Sequence, residues 1–297
     1  MSKFCECGKP SVFYKKYEGK AYCKSCFVKQ VENNFKKTIG KDGLIEKNDK
    51  IAVALSGGKD SCLLIYLLNK IFRNKLFAII VDEGIRGYRE KGIEAGRNLC
   101  EELGIKYKIV SFKDSFSHTM DEIASEKQRP CTYCGVFKRY LLNKEARVEG
   151  ATKLAVGINL DDEAESIIMN IIRGDIDRFL KLGSYPMLID DKMFVPRIKP
   201  LRNLSGEEIM LYDKLKGIKF YSRVCPHATD SIRLRVRKII SELEAKYPGT
   251  KYQIVRFYDR LKPLIKINVT GKMKYCKKCG EPSSREICKA CELLDKL

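Results

Sequence analysis

The stretch DKIAVALSGGKDSCLLIYLLNKIF, residues 49–72, constrains the fold more than any other part of the chain. Five apolar residues, IAVAL, run straight into a double glycine, and a long pattern of helical period follows at once. An apolar run bounded by glycine is a buried strand, and a strand feeding directly into a helix is the opening of a parallel β–α–β unit. The alternation continues. LFAIIVDEG reads as a second buried strand, REKGIEAGRNLCEELGI as an amphipathic helix and KYKIVSF as a third strand. A helix over 134–148, the strand TKLAVGINL and the helix DDEAESIIMNIIRG follow. Such alternation predicts an α/β fold, a doubly wound parallel sheet whose ligands sit at the carboxyl ends of its strands. Residues 30–41 read as a linking helix, and from about 201 the pattern turns helical, with SIRLRVRKIISELEAKYPG and TKYQIVRFYDRLKPLI as basic helices. The expected division is an N-terminal module over 1–28, a helical linker over 29–49, the α/β domain over 50–200, a basic helical extension over 201–272 and a C-terminal module over 273–297.

The formal net charge of +20 on 297 residues has two readings, a lysine-rich solvated surface or a polyanionic partner. No apolar run is long enough for a membrane span, and MSKFCECGKP has no signal-peptide core, so the expectation is a cytoplasmic protein without a membrane partner. In that compartment thirteen cysteines argue for metal or redox chemistry rather than a disulfide scaffold.

The cysteines sort by position. Cys276, Cys279, Cys288 and Cys291 form a pair of C-x2-C knuckles, the spacing that closes a tetrahedron of thiolates around structural zinc. Cys5, Cys7, Cys23 and Cys26 form a second set with an unusual C-x-C first knuckle, again read as a structural zinc ribbon. Cys62 and Cys100 lie in apolar helical patterns and read as buried thiols. That leaves Cys131 and Cys134 in RPCTYCGVFKR, and Cys225 in SRVCPHATD. Three thiolates with one open position suit a [4Fe-4S] cluster. A persulfide with a resolving thiol, or a further structural site, are the alternatives.

In LSGGKDS, residues 55–61, two glycines let the backbone approach a phosphate where a helix N-terminus presents its N–H groups. Ser56, Lys59 and Ser61 add donors, and Asp60 suits a magnesium partner. This is not the G-x4-G-K-[ST] arrangement. Ile80 and Val81 are candidate adenine-lining residues, and GINLDDEAES brings Gly157, Asp161 and Asp162 to the end of the fourth strand. The two acids serve either as helix caps or in Mg²⁺ binding.

SGG-x-DS after a first strand resembles the PP-loop of the HUP-like ATP pyrophosphatases, which cleave ATP between the α- and β-phosphates. With a zinc ribbon at each end, PCTYCG followed by KR, the G-x-NLDD-x-A strand end and a late CP, nearly the whole chain is similar to the tRNA 2-thiouridine synthesising family. The resemblance implies adenylation of a uracil C2 oxygen and its replacement by sulfur. It implies an ATP loop of Ala54, Ser56, Gly57, Gly58, Lys59, Asp60 and Ser61, and catalytic roles for Asp60, Lys138, Asp161 and Asp162. It further implies a [4Fe-4S] cluster on Cys131, Cys134 and Cys225, tRNA as partner, a homodimer, and either sulfide or a ubiquitin-like thiocarboxylate carrier as sulfur donor. Arg233, Arg235, Arg237, Lys238 and Arg256 are the candidate tRNA contacts. Ile158 stands where many relatives carry histidine, and His227 where an aromatic residue is common. A PP-loop ligase for a small molecule and an RNA-binding zinc protein with an inactive ATP site are the competing readings.

Overall fold

The computed structural model describes residues 4–183, 193–228, 232–265 and 274–297. Two short strands, β1 (Phe13–Lys15) and β2 (Lys20–Tyr22), form an antiparallel hairpin, and helix α1 (Lys24–Lys41) follows. The α/β domain then runs β3 (Ile51–Ala54), α2 (Lys59–Phe72), β4 (Leu76–Asp82), α3 (Arg89–Leu103), β5 (Lys106–Ser111), α4 (Phe112–Phe116), α5 (Met120–Glu126), α6 (Pro130–Val148), β6 (Lys153–Ala155), α7 (Leu160–Ile172), α8 (Ile176–Leu180) and β7 (Arg197–Ile198). Helices α9 (Gly206–Lys216), α10 (Ile232–Lys246) and α11 (Thr250–Leu261) precede a terminal hairpin of β8 (Lys274–Tyr275) and β9 (Pro282–Ser283), closed by α12 (Lys289–Leu294).

The central sheet is parallel throughout, in the order β5-β4-β3-β6-β7. The strand order therefore reverses between β3 and β6, and the crevice outside their carboxyl ends is where such folds bind ligands. Strand alternation sorts the core. Ile51, Val53, Leu55, Ala78 and Ile80 face a layer built from α1, α2, α3 and α9, while Ala52, Ile79, Val81 and Leu154 face α4, α5, α6 and the C-terminal module. A third cluster joins α7 and α8 to α10 and α11.

Two expectations change. The helix expected as a linker over 30–41 begins at Lys24 and buries Phe27, Val31, Phe35 and Ile39 in the main core. Its apolar residues recur at i, i+4, the period of a packed face, so it is part of the domain's wall. The sheet also gains a fifth strand, β7, whose two residues are too few to carry a period. Ser231, the first residue of the expected basic helix, and the 272/273 boundary of the C-terminal module lie outside the described residues.

That module is fastened beside both ends of α6. Arg147 donates twice to Glu281, at 2.5 and 2.9 Å, and Lys127 Nζ donates to the Lys296 carbonyl at 2.6 Å. Both contacts are charge-assisted, and the first is a bidentate fork.

Candidate functional site

The turn between β3 and α2 is shaped from within. Gly57 has φ +80°, and a Cβ there would stand 1.9 Å from the Gly92 carbonyl oxygen, so only glycine fits. The Ser61 hydroxyl accepts from Ser56 N at 3.1 Å, donates to the Gly58 carbonyl at 3.0 Å and lies 3.0 Å from the Ser56 hydroxyl. Ser61 is buried, so it sets the loop's curve and is no free donor to a ligand. Helix α2 starts at Gly58 without a side-chain cap, which leaves its first N–H groups to a ligand. Gly157 closes the crevice from β6: a Cβ there would stand 3.0 Å from Ser61 N.

Charge gathers at the mouth. Lys59 Nζ is 2.6 Å from Asp60 Oδ1, and Asn159 Nδ2 donates to the same oxygen at 2.8 Å. Asn159 is the N-cap of α7, and Asp162 returns to its backbone N–H in a capping box, so one of the paired acids is partly a cap. Burial, then the neighbouring Asp60 and Glu165, push the Asp162 carboxyl up to about 6. Asp161 accepts from Gly206 N at 2.6 Å and pairs with Lys251. These groups line a cavity of about 280 Å³.

Beneath α2 lies Asp213, a residue the sequence did not single out. It is fully buried, and neither carboxylate oxygen has a hydrogen-bond partner among the described residues. Burial and the nearby Asp60 push it up to about 8.

The two candidate adenine-lining side chains point away from one another, as neighbours on a strand must. Ile80 is wholly buried against Gly96 of α3 and Val81 in the opposite layer, so the Ile80 side chain is core and not pocket wall.

The cysteines that open α6 meet Cys225. Cys131 is exposed, while Cys134 and Cys225 are half-buried, and each of these two interacts electrostatically with Lys138 and Glu83. Burial raises both thiols despite Lys138. The Cys225 loop is pinned: His227 Nε2 lies 2.6 Å from Asp121 Oδ1, and the Cys131 thiol donates to the His227 carbonyl at 3.8 Å. The three sulfurs are not drawn within 4.8 Å of one another as the two four-cysteine sets are. A single zinc ion with arms of about 2.3 Å needs sulfurs about 3.8 Å apart. The terminal sets match that, with contacts of 3.5 and 3.7 Å in the first and 3.7 Å in the second. Cys5 is a full member of its set despite the C-x-C spacing. A wider group of three thiols suits a cluster with several metal atoms better than one ion.

Two further residues join the loop to the cysteines: Arg89, which the sequence did not single out, and Glu83, expected to project at the sheet edge but only 6% exposed. Arg89, 5% exposed, donates from Nη1 to the Ser56 carbonyl at 2.5 Å and from Nε to the Val81 carbonyl at 2.7 Å. Its Nε also lies 2.6 Å from Glu83 Oε2, and Glu83 Oε1 lies 2.9 Å from Lys138 Nζ. Burial opposes the Lys138 charge, but Glu83 and Cys134 outweigh it and hold the ammonium protonated well above its ordinary range. One chain of contacts, buried at Arg89 and Glu83 and half-exposed at Lys138, therefore runs from the glycine turn to the cysteine pocket.

A PP-loop domain model matches residues 27–243. The chain belongs to the PP-loop tRNA thiolation family. A probable sulfurtransferase of Methanocaldococcus jannaschii is 40% identical over 99% of this chain and 87% of its own length. The tRNA-5-methyluridine(54) 2-sulfurtransferase of Pyrococcus horikoshii is 34% identical over 98% and 92%. Among solved structures, the U34-tRNA thiolase NcsA from Methanococcus maripaludis with its [4Fe-4S] cluster is 42% identical, with a TM-score of 0.87 over 100% of this chain and 97% of that one.

The basic candidates on the C-terminal helices separate. Arg233 and Arg237 pair with Glu165, at 3.0 and 2.6 Å, while keeping 40% and 51% of their side-chain surface exposed, and Arg237 also lines the nucleotide crevice. Arg235 and Lys238 are exposed on α10, and Arg256 faces a different groove on α11. Among the described residues no helix is long and apolar enough to cross a membrane.

Proposed function

We propose that this chain is an ATP-dependent tRNA 2-thiolation enzyme that works in the cytoplasm as a homodimer. The observation that carries the reading is the Ser56–Arg89–Glu83–Lys138 chain, which sets a phosphate-binding turn and a three-cysteine pocket side by side. A uracil C2 carbonyl is a poor electrophile, and attaching AMP converts its oxygen into a leaving group. The uridine O2 attacks the α-phosphorus of ATP, the α–β bridging bond breaks and pyrophosphate departs. Sulfide then attacks C2, AMP leaves with the oxygen, and the remaining proton passes to solvent.

Each residue has a place in that sequence. The α2 N–H groups with Lys59 bind phosphate, and Asp60, Asp161 and Asp162 are the residues that would hold the magnesium accompanying ATP, which would neutralise phosphate charge there. The repulsion that raises Asp162 beside Asp60 is the charge pattern a divalent cation relieves. Lys138, held charged by Glu83, stands between phosphate and cysteines and stabilises the oxyanion formed at C2. Cys131, Cys134 and Cys225 are the holders of a [4Fe-4S] cluster, which when bound offers an open iron that keeps sulfide deprotonated and in position. Sulfide itself, or a ubiquitin-like thiocarboxylate carrier, supplies the sulfur, and the two four-cysteine sets hold structural zinc.

The test is anaerobically purified protein with ATP, sulfide and tRNA lacking the modification. AMP and pyrophosphate should form together with 2-thiouridine, and nuclease mapping reads its position. AMP formed equally without tRNA, and no thionucleoside, would instead establish a small-molecule ligase. Iron and labile sulfide near four per chain, lost in Cys225→Ala, support the cluster. Thiolation by protein still free of iron after reconstitution would exclude the cluster, and a cysteine persulfide would then have to be loaded from a sulfane-sulfur donor in place of sulfide.

A further inference from the structure

Of the candidate tRNA contacts on the C-terminal helices, Arg256 lies in a groove where further exposed cations from α1 and α11 gather. The groove lies between α1 and α11, beside the N-terminal ribbon. Two adjoining cavities of about 630 and 500 Å³ form it, and both are lined by Tyr17, Lys41, Asn203 and Tyr252. Lys29, Lys37 and Lys41 come from α1, and Arg256 and Arg260 from α11. All five are exposed, and none has an ion-pair partner among the described residues.

Their spacing is regular. On α1 the buried stripe Phe27, Val31, Phe35 and Ile39 points to the core, and Lys29, Asn33, Lys37 and Lys41 recur every four residues on the outer side. On α11 Tyr252, Arg256 and Arg260 recur in the same way. Four residues of helix advance about 6 Å, so each wall presents a ladder of donors at the scale of successive phosphates in a nucleic-acid strand. The junction of the two cavities is aromatic. Tyr17 packs where a Cβ on Gly249 would collide with it at 2.0 Å, and it stacks on Tyr252 with centroids 5.2 Å apart and planes 13° apart. Tyr17 keeps 40% of its surface exposed. A second hollow, lined by Tyr17, Tyr252 and Lys251, continues toward the nucleotide crevice, which Lys251 also lines.

Resting on the tRNA reading above, we infer that this groove is the binding surface for a phosphodiester strand of the tRNA, gripped by Lys29, Lys37, Lys41, Arg256 and Arg260. Unpaired cations release counterions when they meet phosphates, and exposed tyrosine faces accept bases. Asn33, exposed between Lys29 and Lys37, adds a neutral donor to phosphate or ribose. An acidic protein, such as a carrier of sulfur, is the other class of partner such a groove would take.

The test compares the wild type with a combined Lys37→Ala, Lys41→Ala, Arg260→Ala variant and a control with Lys50, Lys106 and Lys144 changed to alanine. The control removes the same charge from side chains that line neither groove cavity, and all six side chains are exposed. Affinity for unmodified tRNA is titrated across a range of salt, with circular dichroism to confirm folding. The groove variant should lose tenfold or more in affinity at fixed salt, and the slope of log K against log salt should fall by about 2–3, one for each lost phosphate contact. The control should keep its slope. Equal losses in both variants would reduce the effect to net charge and overturn the inference, as would a groove variant that binds tRNA like the wild type. A wild type that binds no tRNA would overturn the functional reading itself.

Discussion

Replacing Glu83 with glutamine removes one charge and keeps the side chain's shape. In the native protein Glu83 faces two cations, Arg89 at 2.6 Å and Lys138 at 2.9 Å, with side chains of Arg89 and Glu83 only 6% and 8% exposed. At an effective dielectric of about 20, each contact carries about 6 kcal/mol of gross attraction, most of it offset by desolvation. Removing the carboxylate leaves Arg89 buried beside a second cation. Lys138 is 40% exposed and screened by water, so the Arg89 contact dominates the cost. Breaking a buried pair from one side costs about 3–5 kcal/mol, and the lower end applies here because Arg89 keeps the Ser56 and Val81 carbonyls. Urea unfolding of Glu83→Gln should therefore show a loss of about 3 kcal/mol. Arg89→Met should show a similar loss, and the double variant much less than the sum, with a coupling of about 2 kcal/mol. In the tRNA-dependent assay, kcat should fall in Glu83→Gln because Lys138 loses its fixed position. Additive unfolding losses would refute the idea that one carboxylate ties the turn to the cysteine pocket.

Gly57→Ala forces a Cβ into the Gly92 carbonyl at φ +80°, so it should cost about 3 kcal/mol or more and abolish nucleotide binding, read by calorimetry. Asp213, raised to about 8, keeps its proton in the folded chain where the unfolded chain has lost it. Stability from this group should thus fall as pH rises from about 4 to about 8, by up to about 1.4 kcal/mol per pH unit, and level off above. Asp213→Asn should flatten that slope in denaturant melts across pH, and an unchanged slope would assign it to other groups. A strong chelator should strip metal from both four-cysteine sets and speed amide exchange in the last turns of α6 before the sheet responds. Exchange in α6 indifferent to metal would mean that the C-terminal module merely rests on it.

The sheet was legible because buried strands and their helices carry periods that a single chain displays, and the terminal metal sets because cysteine spacing is itself geometry. The alternation that revealed β4 did not tell which of Ile80 and Val81 faces a ligand, since both are apolar and both are buried. Glu83 and Arg89 sit in VDEGIRGYRE, which reads as a polar loop. Only folding shows that Arg89 turns back under the glycine turn and that Glu83 waits for a lysine 55 residues away in sequence. Asp213 resembles any solvent-facing helix residue, and nothing in LYDKLKG announces its burial. The arginines of α10 were readable as charges but not as partners of Glu165, because an ion pair between distant helices leaves no local mark.

Helix α6 is a single rod of 19 residues, about 28 Å long. Cys131 and Cys134 stand in its first turns, and Arg147 near its last turn is forked onto Glu281 of the C-terminal module. A rod fastened at both ends makes the two metal environments parties to one equilibrium. Any tightening that a metal on the terminal thiolates gives to the cysteine pocket must be returned by the pocket, by the same factor, to those thiolates' hold on that metal.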